Sequence, residues 1–335
     1  MTDPLTPTRR PRRSRRRLRL VGAALACVVV GALGLPGGPA GSEPPPAYLT
    51  LLFGRAQWSV APGCAGTPAG ALTLTQVANR MRGHGVSGVG AVITTFADGS
   101  NGTGRHCTGG IRYANWTDLA ALRDTYGWTF VSDGRTRSDL YAMDFAQRHA
   151  ESCGTIMAFW ERGHERAHGL FAYGNPVPGL DAVPPDMVRD QVSGCFAFTR
   201  RYTSGERNVR SRMTWPWYQR TRSVSGGLCN DPALACYSDV LSTARRYDSP
   251  HALASFAAAE PDEWASLQVY RLVEGARTTG SGTQWDCTDP DWRRHWTSQE
   301  EVYCWSDFEI VLRSIPDHVT VTDPLTVASD WRRRG

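Results

Sequence analysis

His164, Glu165 and His168 stand in the pattern H-E-x-x-H. On a helix that spacing sets two imidazoles on one face, the arrangement used by zinc-dependent proteases. The surroundings argue against that chemistry here. Gly163 and Gly169 bracket the motif, Arg166 places a charge between the Glu and the second His, and the apolar stretch Leu170–Tyr173 follows at once. No third ligand follows at a suitable spacing. The motif reads as a polar helix end or turn, with His168 near a helix C-terminus, where a cation is favoured.

Cysteine is the next reactive residue type. Eight lie in the body of the chain: Cys64, Cys107, Cys153, Cys195, Cys229, Cys236, Cys287 and Cys304. No C-x-x-C pair occurs, which argues against a structural zinc cluster. An even number in an exported chain reads as up to four disulfides. The expected short-range pairs are Cys229–Cys236 and Cys287–Cys304, leaving Cys64–Cys107 and Cys153–Cys195. No metal site and no cofactor is expected, and no G-x-S-x-G nucleophile elbow is present.

Export is read from the N-terminus. The arginine-rich "TRRPRRSRRRLRL" precedes an apolar run from Leu18 to Leu35 and then "PGGPAGS". This is the layout of an export signal over residues 1–40, with "SRRRL" loosely fitting a twin-Arg signal. Ala40 offers a cleavage point, although Pro39 is unusual there; an uncleaved membrane anchor is the alternative. Cys27 sits in the run, but Ala24 stands where a lipidation motif wants Leu. The chain has 335 residues and a net charge of +5, with every basic residue an Arg. The first 40 residues hold eight Arg and one Asp, +7, so the rest stands at −2. A nucleic-acid footprint should lie on the folded part, and this one does not. The membrane is expected to be met only through the N-terminal segment.

The elements that must position any site begin after a linker, 41–47, and fill one domain, 48–332. Apolar strands are expected at 48–54, 88–96, 128–132, 169–174, 194–200, 266–273 and 318–322. Helices are expected at 73–83, with Thr73 as cap and Gly83 as stop, at 115–127, as one long helix over 139–163, and at 306–315. Residues 200–250, rich in Arg, Ser, Gly and Trp, read as a long loop excursion. Alternating strands and helices point to an α/β fold with a parallel sheet or barrel, whose sites lie at the C-terminal strand ends. Those ends present Gly54, Arg55, Ser132, Asp133 and Tyr173.

The order of elements resembles the polysaccharide deacetylase (NodB homology) family, in exported bacterial form. "YLTLLFGRAQW" resembles the first-strand motif T-F-D-D-G, and "GWTFVSDGRTRSDL" the second, which carries two metal-binding His. "GLFAYGNP", "GGLCNDPALAC" and the C-terminal "YCWSDFEIVL" resemble later segments. The resemblance implies a distorted (β/α) barrel with long loop excursions that acts on N-acetylated sugars through a divalent metal. It also implies loss of that chemistry. Gly54 stands at the general base, Arg55 at the metal carboxylate, and Asp133 and Arg137 at the two His. Arg has no lone pair for a metal. The implied protein is a metal-free pseudoenzyme that binds a cell-envelope glycan through Arg55, Asp133, Arg137, Trp58 and Tyr173, the last two as stacking faces. An active carbohydrate hydrolase using other residues is the alternative, and a zinc protease at His164 and His168 is a third.

Overall fold

The computed structural model describes residues 44–54, 70–99, 107–108, 111–172, 186–200, 206–213, 218–224, 248–279, 282–291 and 302–334. Arg55, Trp58, Tyr173, Cys64, Cys229, Cys236 and the export segment lie outside them. Seven stretches form a parallel sheet: β1 (Ala47–Phe53), β2 (Val89–Val92), β3 (Thr129–Ser132), β4 (Leu170–Ala172), β5 (Phe198–Arg200), the pair β6 (Tyr218–Gln219) and β7 (Arg222–Ser223), and β8 (Glu263–Val269). The sheet order is β7-β8-β1-β2-β3-β4-β5-β6, and every step along that path is parallel.

The two ends of that order close the sheet. β6 pairs with β5 and β7 pairs with β8, yet only Arg220 and Thr221 separate β6 from β7. Gln219 and Arg222 are three Cα steps apart, at most about 11 Å, so this one segment lies against both sheet edges. Gln219 Nε2 confirms the closure by donating to Ser266 Oγ of β8 at 2.9 Å. The result is a distorted, seven-stretch (β/α) barrel, as the sequence leads one to expect. The stretch read as a loop excursion thus supplies its closing strand. β9 (Val319–Val321) pairs with the first residues of β1, where β2 does not reach.

Alternation sorts side chains between the two faces. Leu49, Leu51 and Phe53 of β1, with Ala265, Leu267 and Val269 of β8, face outward into the main core. Helices α1 (Leu74–Gly83), α2 (Trp116–Tyr126), α6 (Pro250–Ala257) and α7 (Trp305–Arg313) cover that face. Tyr48, Leu52, Val89, Ala91, Val131, Leu170, Ala172, Phe198 and Trp264 face inward. Helix α8 (Pro324–Arg333) adds Val327, Ala328 and Trp331 to this inner cluster.

Local signals set the helix ends. Thr73 and Gln76 cap α1, and Asn115 and Asp118 cap α2, each as a reciprocal box that satisfies two orphan N–H groups. α1 ends at Gly83, as the sequence leads one to expect, with His84 as its C-cap and Gly85, at φ +72°, just beyond. The expected long helix over 139–163 is three pieces: a 3-10 turn at Leu140–Ala142, α3 (Phe145–Glu151) and α4 (Thr155–Trp160). At the break, side-chain hydroxyls share carbonyls with the backbone N–H groups. Ser152 Oγ takes Arg148 O at 2.7 Å and Thr155 Oγ1 takes Ser152 O at 2.6 Å. The strand expected over 88–96 ends at Val92 and gives way to a short helix, Thr94–Ala97. The strand expected over 266–273 breaks at Tyr270 into Glu263–Val269 and Arg271–Val273.

Two disulfides join described residues. Cys153–Cys195 ties the α3–α4 junction to the end of α5 (Asp186–Ser193), and Cys287–Cys304 ties a hairpin to the start of α7. Both pairings match the sequence expectation. Cys229–Cys236 and Cys64–Cys107 involve residues outside those described. Among the described residues no helix is long and apolar enough to cross a membrane.

Candidate functional site

The C-terminal ends of the strands converge on a polar mouth. Asp133, the first residue past β3, is 3% exposed and its N–H donates to Val92 O at 2.9 Å. Register places Ser132 beside Phe171 and Ala172 beside Arg200, so Asp133, Ala172 and Arg200 follow one another along one row. With strands about 4.8 Å apart, the backbones of Asp133 and Arg200 are about 10 Å apart. Ala172, a small residue, stands between them. Arg200 is itself buried, and Gln219 is its neighbour on β6. Gln268 lies on β8 opposite Ser223. Its Nε2 is buried and finds no hydrogen-bond partner among the described residues.

Gly54 closes the row on the other side. A Cβ at Gly54 would lie 2.6 and 2.8 Å from Tyr270 ring carbons and 3.0 Å from Gln268 Nε2. Those separations are inside van der Waals contact. The ring of Tyr270 therefore fills the space that any side chain at position 54 would need.

The loop after Asp133 is wrapped around one carboxylate. The N–H groups of Thr136, Arg137 and Ser138 donate to Glu151 Oε1 at 2.8, 2.7 and 3.3 Å, and Thr136 Oγ1 donates to Oε2 at 2.8 Å. Three successive amides around an anion form a backbone nest. A Cβ at Gly134, φ +88°, would meet Glu151 Oε1 at 2.8 Å, so only glycine fits. Arg137 adopts φ +64°, a rare conformation for a side-chain-bearing residue, which the nest imposes. Its side chain is half-buried.

Of the five residues expected at the site, Asp133 and Arg137 are described: Asp133 lies at the mouth and Arg137 on the loop that leaves it. Arg55, Trp58 and Tyr173 fall outside the described residues. The mouth residues not singled out in the sequence are Arg200, Gln219, Gln268 and Tyr270, with Glu151 behind them. One signal was available: Ser266 and Gln268 alternate with Ala265, Leu267 and Val269, a period-2 pattern whose polar side faces inward.

The H-E-x-x-H residues go elsewhere. The segment is a turn, one of the two forms expected from the sequence, but His164 is not polar surface: it is buried on the outer side of the barrel, beyond α4. Its ring lies 5.9 Å from Trp116, 5.0 Å from Phe130 and 6.4 Å from Phe159. Burial, with Arg123 nearby, lowers its pKa to about 4. Its Nε2 finds no partner among the described residues. His168 sits in a 3-10 turn, Ala167–Gly169, with its ring 6.3 Å from Trp160. Among the described residues, one group of three ligand-type side chains converges closely enough for a metal, and it contains neither of these His.

No protein-family model and no curated relative matches the chain. A solved structure of a family 4 carbohydrate esterase from Streptomyces lividans in complex with acetate is similar to it, at 11% identity and a TM-score of 0.40. The alignment covers 82% of this chain and 91% of that one.

Proposed function

We propose that this chain is an exported, polysaccharide-deacetylase-like barrel that binds a cell-envelope glycan without hydrolysing it. The carrying observation is the crowding at Gly54. In the resembling family the general base stands at this position, and here the Tyr270 ring and the Gln268 amide take up the volume a base would need. The same resemblance puts Asp133 and Arg137 in place of two metal-binding His. An Arg cannot ligate a metal. The backbone of Arg137 is committed to Glu151. What remains at the mouth is a carboxylate, a guanidinium and amides, groups suited to hydrogen-bonding sugar hydroxyls and N-acetyl groups. Export is supported by the N-terminal layout and by two disulfides, bonds kept in oxidising compartments.

Binding to chitooligosaccharides and peptidoglycan fragments, with acetate release measured alongside in the presence of zinc and cobalt, tests the reading. Saturable glycan binding that weakens about tenfold or more in Arg200→Ala, without acetate release, is expected. Metal-dependent acetate release at any enzymatic rate would overturn it in favour of a hydrolase using other residues. A Gly54→Asp variant should not gain activity, because Tyr270 must first move.

A further inference from the structure

We propose that the Cys153–Cys195 bond is one state of a redox-switched zinc clasp, whose other state is a Cys153–Cys195–His149 metal site. A ring nitrogen of His149 and the two sulfurs all lie within 4.8 Å of one another. His149 lies in the last turn of α3 and Cys153 just past its cap, Ser152; their ligand atoms meet Cys195, which lies just beyond the end of α5. The cluster is on the flank of the barrel, among residues that the mouth does not use.

Reduction creates the geometry. A dithiol gives two hydrogen atoms to the bond and becomes a disulfide itself, leaving two Cys thiols. Non-bonded sulfurs must then separate to about 3.7 Å. That is also about the sulfur–sulfur edge of a zinc tetrahedron with Zn–S bonds of about 2.3 Å. Zinc binding expels the two thiol protons, and the neutral imidazole of His149 supplies a third lone pair. His149 is exposed, so the fourth position opens to solvent.

The frame does not depend on the disulfide. Arg148 Nε donates to Gln191 Oε1 at 3.1 Å and Gln191 Nε2 donates to Phe145 O at 2.8 Å, so α3 and α5 are joined by hydrogen bonds too. Gln191 O lies 3.7 Å from Cys153 Sγ and 3.8 Å from Cys195 Sγ. A zinc ion would therefore bridge the same two helices that the disulfide bridges, and the junction would stay linked in either redox state.

The test is zinc protection of individual cysteines. The full chain is reduced with a phosphine, which does not chelate, then alkylated with and without zinc and mapped by mass spectrometry. Cys153 and Cys195 should alkylate about tenfold more slowly with zinc, while Cys287 and Cys304 should not change. His149→Gln, which keeps the disulfide and so the oxidised fold, should raise the zinc needed about tenfold. Equal protection in His149→Gln overturns the proposal, as does no protection in the wild type. A reduced chain whose cysteines all react alike with or without zinc overturns it too.

Discussion

The two ends of the barrel are built from opposite materials. At the N-terminal end, Trp264 packs on Phe198 at 4.7 Å, and Trp331 of α8 meets both edge-on, at 5.9 and 6.1 Å. Tyr48 adds its ring there. Burial and the Asp330 carboxylate push its pKa up to about 12. Some polar atoms at this end are paired: Trp264 Nε1 donates to Thr50 Oγ1, and Arg333 and Arg334 bond Asp330. Thr129 Oγ1, at the start of β3, has no partner among the described residues. At the C-terminal end the interior turns to Asp133, Arg200, Gln219 and Gln268, and Gln219 Oε1 and Gln268 Nε2 lack partners among the described residues. One end is lined chiefly by aromatic side chains; the other is lined by charged and amide side chains. The proposed glycan-binding reading rests on this difference within one sheet.

The sharpest way to break the comparison is at the plugged end. Trp264→Ala empties a fully buried indole site and should cost about 4 kcal/mol. In a domain of this size that is a melting shift of roughly 8 °C. Glycan affinity of the protein that remains folded should be unchanged. If affinity falls with stability, the two ends are not separable. Glu151→Ala comes next, at about 3 kcal/mol, because it strips three backbone N–H groups of a buried anionic acceptor. Here both melting and glycan affinity should fall, since the loop that leaves Asp133 loses its anchor. Loss of stability with affinity intact would detach the loop from the site.

His164 gives a pH-dependent test of the barrel's outer packing. Its folded pKa, about 4, lies below the ordinary 6.5. The unfolded chain therefore binds the extra proton first. Stability is full above about pH 6.5, falls as pH drops through the window from 6.5 to 4, and is level below it. The whole effect is on the order of 3 kcal/mol. His164→Phe, which suits an aromatic cage, should flatten this part of the stability curve. An unchanged acid slope would place the responsible group elsewhere.

Legibility followed polarity. The outer strand faces and the capped helices are apolar-periodic or carry cap residues, so β1, β3, α1, α2 and α7 could be placed from residue order. The closing strand could not. "YQRTRS" puts Gln219 and Thr221 inside a barrel whose interior is polar at that level, so it carries no apolar alternation and looks like loop. The long helix over 139–163 failed for a different reason: the backbone leaves helical geometry at Ser152, φ −106° and ψ −83°, at a junction held by the Cys153–Cys195 disulfide. The mouth was half legible. Asp133 follows from its place after a strand, whereas Tyr270 meets Gly54 only through the pairing of β1 with β8.

The smallest effect on stability should come from Gln268→Leu, and it separates the two ends most cleanly. Gln268 is 2% exposed and its Nε2 is without an acceptor among the described residues. A buried donor without a partner costs about 1–3 kcal/mol, and an apolar side chain of similar volume avoids that cost. Leucine should therefore leave stability within about 1 kcal/mol of wild type, or raise it slightly. If the mouth binds sugar, the amide is retained for the ligand, and glycan affinity should fall about tenfold. Thermal melting and binding titration on the same preparation check both halves. A clear loss of stability would show that Gln268 serves the fold, and the polar mouth would then be core chemistry like the plugged end.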